Sequence, residues 1–141
     1  MDSGPVIEAI NRVCEAGRIR QTEVAVALSG NSVIVKRVSI PSMSDEELAE
    51  SIHWEAEQYI PFDIEDVNID YQVLGDSDGD QMDVLLVAVK KDKVNDYTSV
   101  ISQAGRIPVL VDVDVFAVQN AFEASHGSTE TQTTALLNVG A

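Results

Sequence analysis

Residues 40–70 read IPSMSDEELAESIHWEAEQYIPFDIEDVNID, and this stretch decides the fold because a capped helix runs directly into an alternating strand. Ser44 and Glu47 form a Ser-x-x-Glu capping box, in which each side chain bonds a backbone amide of the first helical turn. Apolar residues then recur at helical spacing, namely Leu48, Ile52, Ala56 and Tyr59. Pro61 has no backbone N–H to donate, so we expect the helix to end near Tyr59. Apolar and polar residues alternate over 67–73, which predicts a half-buried strand.

The segments on either side predict further helices and strands. Before the central stretch we expect a helix with Pro5 in its first turn and Gly17 just past its end, then strands at 23–29 and 33–40. After it we expect a strand at 82–89 that forms a hairpin with 67–73, a helix capped by Asp92, a strand at 109–113, a helix capped by Asp114 and a strand at 135–139. The small and apolar residues of 23–29 and 82–89 predict strands covered on both faces. The predicted fold class is therefore α+β (mixed α/β).

The charge of the chain is strongly negative and unevenly distributed. The 141 residues carry 24 acidic and 9 basic side chains, a formal charge of -15, which disfavours binding to nucleic acids and anionic membranes. No Lys or Arg occurs between residues 38 and 89, whereas 14 of the acidic residues do. Two interpretations of this acidic stretch stay open, a solvated surface and a surface that steers a basic partner. Because no apolar run approaches the ~20 residues of a membrane span, we expect a soluble cytoplasmic protein.

No catalytic or metal-binding motif is apparent in the sequence. The single cysteine, Cys14, excludes an internal disulfide, and His53 and His126 lack the spacing of a Cys-His or Ser-His-Asp arrangement. The GDSDGD segment at 75–80 fails the EF-hand pattern and is interpreted as a polar hairpin turn. A strand that breaks at glycine can bring backbone amides close to a phosphate, so Asn138 and Gly140 are candidate cofactor-binding residues in an incomplete loop.

Four stretches together resemble one family. Residues 40–75, 83–94, 104–123 and 135–141 are similar, in this order, to the type IV pilus assembly proteins of the PilM family, which are relatives of the cell-division protein FtsA. The most specific part is Glu-Ala-Glu-Gln-Tyr-Ile-Pro-Phe-Asp at 55–63. The resemblance extends from Val24 to Ala141.

The resemblance implies an actin-like fold that carries an inserted FtsA-type subdomain. Residues 1–32 and 107–141 are expected to be parts of the actin-like lobe, and residues 33–106 to be the insert. For full-length members of the family, the resemblance implies ATP and magnesium as cofactors. This chain has neither the first phosphate loop nor a complete second one, so we expect an internal fragment that binds no cofactor.

The family also implies a function, that of a cytoplasmic scaffold which holds the N-terminal tail of a PilN-like inner-membrane protein. The groove is expected between the lobe and the insert. Large apolar groups at the helix end make Tyr59, Ile60, Pro61 and Phe62 candidates for one wall, although they could equally fill the insert's own core. The alternative is a nucleotide-binding actin-like ATPase or an FtsA-like polymer. We expect no enzymatic activity, and self-association is possible through unpaired strand edges.

Overall fold

The computed structural model describes residues 3–76, 80–127 and 133–139, apart from the side chain at position 76. Its elements in chain order are α1 (Ser3–Ala16), β1 (Glu23–Leu28), β2 (Val33–Pro41), α2 (Asp45–Glu57), β3 (Val67–Asp76), β4 (Gln81–Lys90), α3 (Lys91–Gln103), β5 (Ile107–Val113) and α4 (Asp114–His126). Short 3₁₀ turns occur at Gly30–Ser32 and Ile64–Asp66. The predicted mixed α/β fold is confirmed.

The chain divides into two compact units, with divisions after residues 29 and 95. One unit, called the sheet unit below, is residues 30–95, and the other, called the flanking unit, comprises residues 1–29 and 96–141. The sequence predicted divisions after residues 32 and 106. In the structure the second division comes earlier, within α3. The assignment of the pieces to an actin-like lobe and an insert stays a prediction.

The sheet unit is built on a three-stranded antiparallel sheet in the order β2-β4-β3. In the register of β2 and β4, Ser39 lies opposite Asp83 and Val38 opposite Val84. Strands β3 and β4 form the predicted hairpin, with an irregularity between Val73 and Gly75. Because side chains alternate along a strand, each face of the sheet carries every second residue of each strand.

One face of this sheet and the inner face of α2 form the core. The buried residues of this core are Val38, Ile40, Leu48, Ile52, Ala56, Ile60, Val67, Met82, Val84, Leu86 and Ala88. On the other face of β4, Leu85, Val87 and Val89 are only half-buried. The prediction that both faces of this strand are covered was therefore wrong, since an antiparallel sheet can bury one face and leave the other towards solvent.

In the flanking unit, β1 and β5 pair in parallel. Val24 and Val26 of β1 are half-buried, while Ala25 and Ala27 on the opposite face are exposed. The expectation that β1 is covered on both faces was therefore wrong: within the described residues this parallel pair of strands has apolar cover on one face only.

Three further predictions need correction. Residues 135–139 form no strand: they pair with none of the strands in the described ranges, and Leu137 is 88% exposed. Asp114 is the first residue of α4 and not its cap, since the N-cap position is Val113 and the Asp114 carboxylate accepts from the Val115 N–H. Likewise, α3 begins one residue before Asp92.

Candidate partner-binding surface

The end of α2 is a sharp bend at residues 59–62, hereafter the bend. The predicted capping box is present at the helix start, where Ser44 accepts from the Glu47 N–H and the Glu47 carboxylate accepts from the Ser44 N–H. At the other end, the N–H groups of Tyr59 and Ile60 both donate to the carbonyl of Ala56, at 2.9 and 3.1 Å. The regular helix thus ends at Glu57, two residues before the expected position.

A second cap follows immediately and sets the direction of the chain towards β3. The Asp63 carboxylate accepts from the Glu65 N–H at 3.0 Å, and the Asp63 carbonyl accepts from the Asp66 N–H at 3.0 Å. These two bonds begin the 3₁₀ turn at Ile64–Asp66. The bend is therefore held from both sides by local hydrogen bonds.

The four residues of the bend do not share one environment. Ile60 is 5% exposed and belongs to the core, Tyr59 and Phe62 are half-buried and pack against that core, and Pro61 is exposed. Ile60 therefore contributes to the stability of the sheet unit and presents almost no surface to a partner. Tyr59, Pro61 and Phe62 keep accessible surface, and their role in partner binding stays a prediction.

Two lysines that sequence reasoning missed lie against the aromatic rings of the bend. The Lys36 Nζ is 5.4 Å from the ring centroid of Tyr59, and the Lys90 Nζ is 4.1 Å from that of Phe62. Both distances suit a cation–π interaction. The available signal was strand alternation, because Lys36 and Lys90 have the same parity as the core residues of β2 and β4.

A small polar cavity adjoins Phe62. Its volume is about 280 Å³, and it is lined by Phe62, Asp63, Asp66, Lys90, Lys91 and Asp92. The Lys91 Nζ donates to the Glu65 carbonyl at 2.7 Å, which fixes one wall. The cavity has room for a single side chain and contains charges of both signs.

On the opposite face of the sheet, a polar cluster joins β2 to β4. Asp83 is only 8% exposed, and its carboxylate accepts hydrogen bonds from the Arg37 guanidinium at 2.5 Å and from the Ser39 hydroxyl at 2.6 Å. The Arg37 bond, followed by the Ser39 bond, lowers the pKa of Asp83 below its ordinary value. The lowered pKa favours the charged carboxylate, and the cluster links β2 to β4 through side chains as well as through the backbone ladder.

The flanking unit contains an apolar groove of about 310 Å³. Its lining residues come from α1, β1 and α3 and are Val6, Ile10, Val26, Tyr97, Val100 and Ile101. Since the lining is almost entirely apolar, the groove can accommodate apolar side chains.

The remaining candidate residues are not brought together. Asn138 is exposed, and Gly140 lies outside the described residues. His53 is exposed, and His126 stacks on Phe122 with ring centroids 4.5 Å apart. Across the described ranges, no three His, Cys, Asp or Glu side chains converge in a way that could hold a metal ion. None of the helices in those ranges is long and apolar enough to cross a membrane.

Comparison with known proteins identifies the family. A family model described as type IV pilus assembly protein PilM matches residues 1–141. The chain belongs to the PilM family. A structure titled "PilM-PilN type IV pilus biogenesis complex" is similar at 33% identity with a TM-score of 0.74, over 86% of this chain and 37% of that one. The chain thus spans little more than a third of that PilM-type relative.

A second solved structure is similar in fold. It is the cytoplasmic domain of EpsL, described as an inner-membrane component of the type II secretion system of Vibrio cholerae, with 21% identity and a TM-score of 0.50. The match covers 75% of this chain and 42% of that chain. The family resemblance and the fold class predicted from the sequence are confirmed, including the relation to the actin-like fold of PilM.

Proposed function

We propose that this chain is part of a scaffold of the type IV pilus assembly platform, and that it binds the cytoplasmic N-terminal tail of a PilN-like inner-membrane protein. Family membership over all 141 residues carries the proposal, and a similar structure was solved as a PilM-PilN complex. The protein would then lie at the cytoplasmic side of the inner membrane and be held there through its partner.

The bend is the proposed contact surface within the sheet unit. Phe62 presents part of an aromatic ring, and Pro61 is exposed beside it. A short extended tail is recognised by side-chain pockets together with backbone contacts, and the 280 Å³ cavity next to Phe62 has the size of one such pocket. Ile60 is not part of this surface, since it is buried in the core.

The proposal is tested by titrating the chain with a synthetic peptide of a PilN-like N-terminal tail and measuring heat and backbone amide shifts. We expect saturable binding, with shifts at residues 59–63 and 90–92. Phe62→Ala should weaken binding by about tenfold, as truncation of an aromatic anchor typically does. Phe122→Ala is the matched control, because Phe122 is also half-buried but lies in α4.

Two results would overturn this proposal. One is the absence of heat and shifts at millimolar peptide. The other is an affinity that Phe62→Ala and Phe122→Ala reduce equally, since the bend would then have no special role.

We also infer that these 141 residues act by binding and not by catalysis, and that they bind no ATP. The inference rests on the absence of a catalytic or glycine-rich phosphate-binding motif in the sequence and on the position of Asn138, which is exposed and lies in no strand. Calorimetry with ATP and magnesium should give no binding heat. Micromolar affinity, or filaments that form on addition of nucleotide, would favour the actin-like ATPase or polymer instead.

A further inference from the structure

The outer face of α2 carries a large apolar side chain that the fold does not use. Trp54 is the single tryptophan of the chain and is 74% exposed. Its neighbours along the helix, Ile52 and Ala56, are 3% and 1% exposed and belong to the core. An indole left in water while adjacent residues are buried is a feature that folding alone does not explain.

Three carboxylates lie in the same stripe of the helix surface as this indole. Glu47 lies seven residues before Trp54, Glu50 four residues before it and Glu57 three residues after it. These spacings place the three side chains and the indole in one row on the helix surface. All three residues are exposed. The hydrogen bonds from Ser44 lower the pKa of Glu47, so its carboxylate stays charged even under mildly acidic conditions.

The charge of α2 is not compensated within the helix. Six of its 13 residues are acidic, and none is Lys or Arg. Like charges four residues apart, as at Glu46 and Glu50, disfavour a helix, whereas a lysine at either position would stabilise it. The acidic residues of the first turn interact favourably with the helix dipole. Glu57 lies at the opposite end of the helix, where a negative charge interacts unfavourably with the dipole.

We propose that the stripe Glu47, Glu50, Trp54 and Glu57 is a docking surface for a basic protein segment, with an arginine side chain placed over the indole. A guanidinium stacks on an aromatic ring and also bonds carboxylates through its planar fork, so both parts of the surface are matched by one residue type. Anionic membranes and nucleic acids are repelled by the same carboxylates. This surface is separate from the bend and does not depend on the proposed PilN-like tail.

The experiment uses a fluorescein-labelled nonapeptide of Arg-Ala-Ala repeats as the probe and fluorescence anisotropy as the readout. Binding should shift the emission of Trp54 in the wild-type protein. Trp54→Ala should weaken binding by about fivefold, and Glu50→Gln by about twofold, the changes expected from the loss of an exposed cation–π contact and of one charge. Because the indole is largely exposed, Trp54→Ala should leave the circular dichroism spectrum unchanged.

Matched controls separate this surface from the general negative charge of the chain. Glu15→Gln removes one exposed helical carboxylate in α1 and should change the affinity by less than about 1.3-fold. A peptide with citrulline in place of arginine should not shift the Trp54 emission. Trp54→Ala should leave binding of the PilN-like tail peptide unchanged, so failure of this proposal and failure of the tail proposal give different results.

Three outcomes would overturn the proposal. Equal binding of the arginine peptide by the wild-type protein and Trp54→Ala would assign binding to net charge. Equal losses for Glu50→Gln and Glu15→Gln would do the same. A Trp54 emission shift that follows protein concentration without peptide would identify a second copy of this chain as the occupant.

Discussion

Replacing Ile60 by alanine separates the two interpretations of the bend. The change removes three carbon atoms from a side chain that is 5% exposed in the core of the sheet unit. At about 0.8 kcal/mol per buried methylene, transfer of these atoms accounts for about 2.4 kcal/mol. The cavity left behind adds to this cost, so we expect the free energy of unfolding to fall by about 3 kcal/mol.

The measurement needs a probe of the sheet unit itself, because the chain has two compact units. Hydrogen exchange of the β4 amides reports on this unit, and urea unfolding followed by far-UV circular dichroism gives the midpoint. With a slope of about 1 kcal/mol per molar urea, the midpoint should fall by roughly 2–3 M. Trp54 is a poor probe of unfolding since its indole is already 74% exposed.

Leu74→Ala is the matched control, because it removes the same number of carbon atoms from a residue of the sheet unit that is 47% exposed. It should cost less than half as much. If Ile60→Ala destabilises the protein no more than the control does, then Ile60 is not a core residue in solution and the groove-wall interpretation is favoured for it. Because Ile60 presents almost no surface to a partner, Ile60→Ala should still bind the tail peptide within about twofold wherever it is folded, in contrast to Phe62→Ala.

Two other substitutions test local features of the sheet unit. Ser44→Ala removes the N-cap of α2 and should lower the free energy of unfolding by about 1 kcal/mol in urea titrations, whereas the neighbouring exposed Ser42→Ala should have little effect. Asp83 has a lowered pKa in the folded state, so its contribution to stability is present above the ordinary aspartate pKa of about 3.9 and is lost as pH falls through the folded-state value. Asp83→Asn should therefore lower the melting temperature at pH 7. Below pH 4 the melting temperature of the variant should decrease less steeply with pH than that of the wild-type protein, and an equal decrease in both proteins would contradict this role.

Short-range signals were sufficient for α2 and for the hairpin. The capping box requires only residues three apart, and helical spacing alone identifies the buried positions Leu48, Ile52 and Ala56. The hairpin of β3 and β4 followed from an alternating segment and a nearly continuous apolar segment on the two sides of a polar turn. These features are determined by residues close in sequence, so a single sequence contains the information that predicts them.

Long-range features could not be predicted in the same way. Arg37 and Asp83 are 46 residues apart, and their contact depends on the register of β2 with β4, which no local pattern specifies. The outer faces of β1 and β4 are less deeply buried than predicted, because strand composition shows whether a face can be buried and not whether another element covers it. Ile60 and Phe62 illustrate the same limit, since they are two residues apart in one bend and yet differ in burial.

The two faces of α2 show how folding and binding can be separated in this chain. The inner face satisfies every requirement of the core through Leu48, Ile52 and Ala56, and the Ser44 cap accounts for the position of Glu47. Neither the packing of the core nor the capping of α2 needs the exposed indole of Trp54 or the Glu57 carboxylate at the end of the helix. Replacing Trp54 with alanine would cost folding almost nothing, since most of its surface is already in water. A residue that folding does not need and that exposes apolar surface among like charges is best accounted for by a partner of opposite charge.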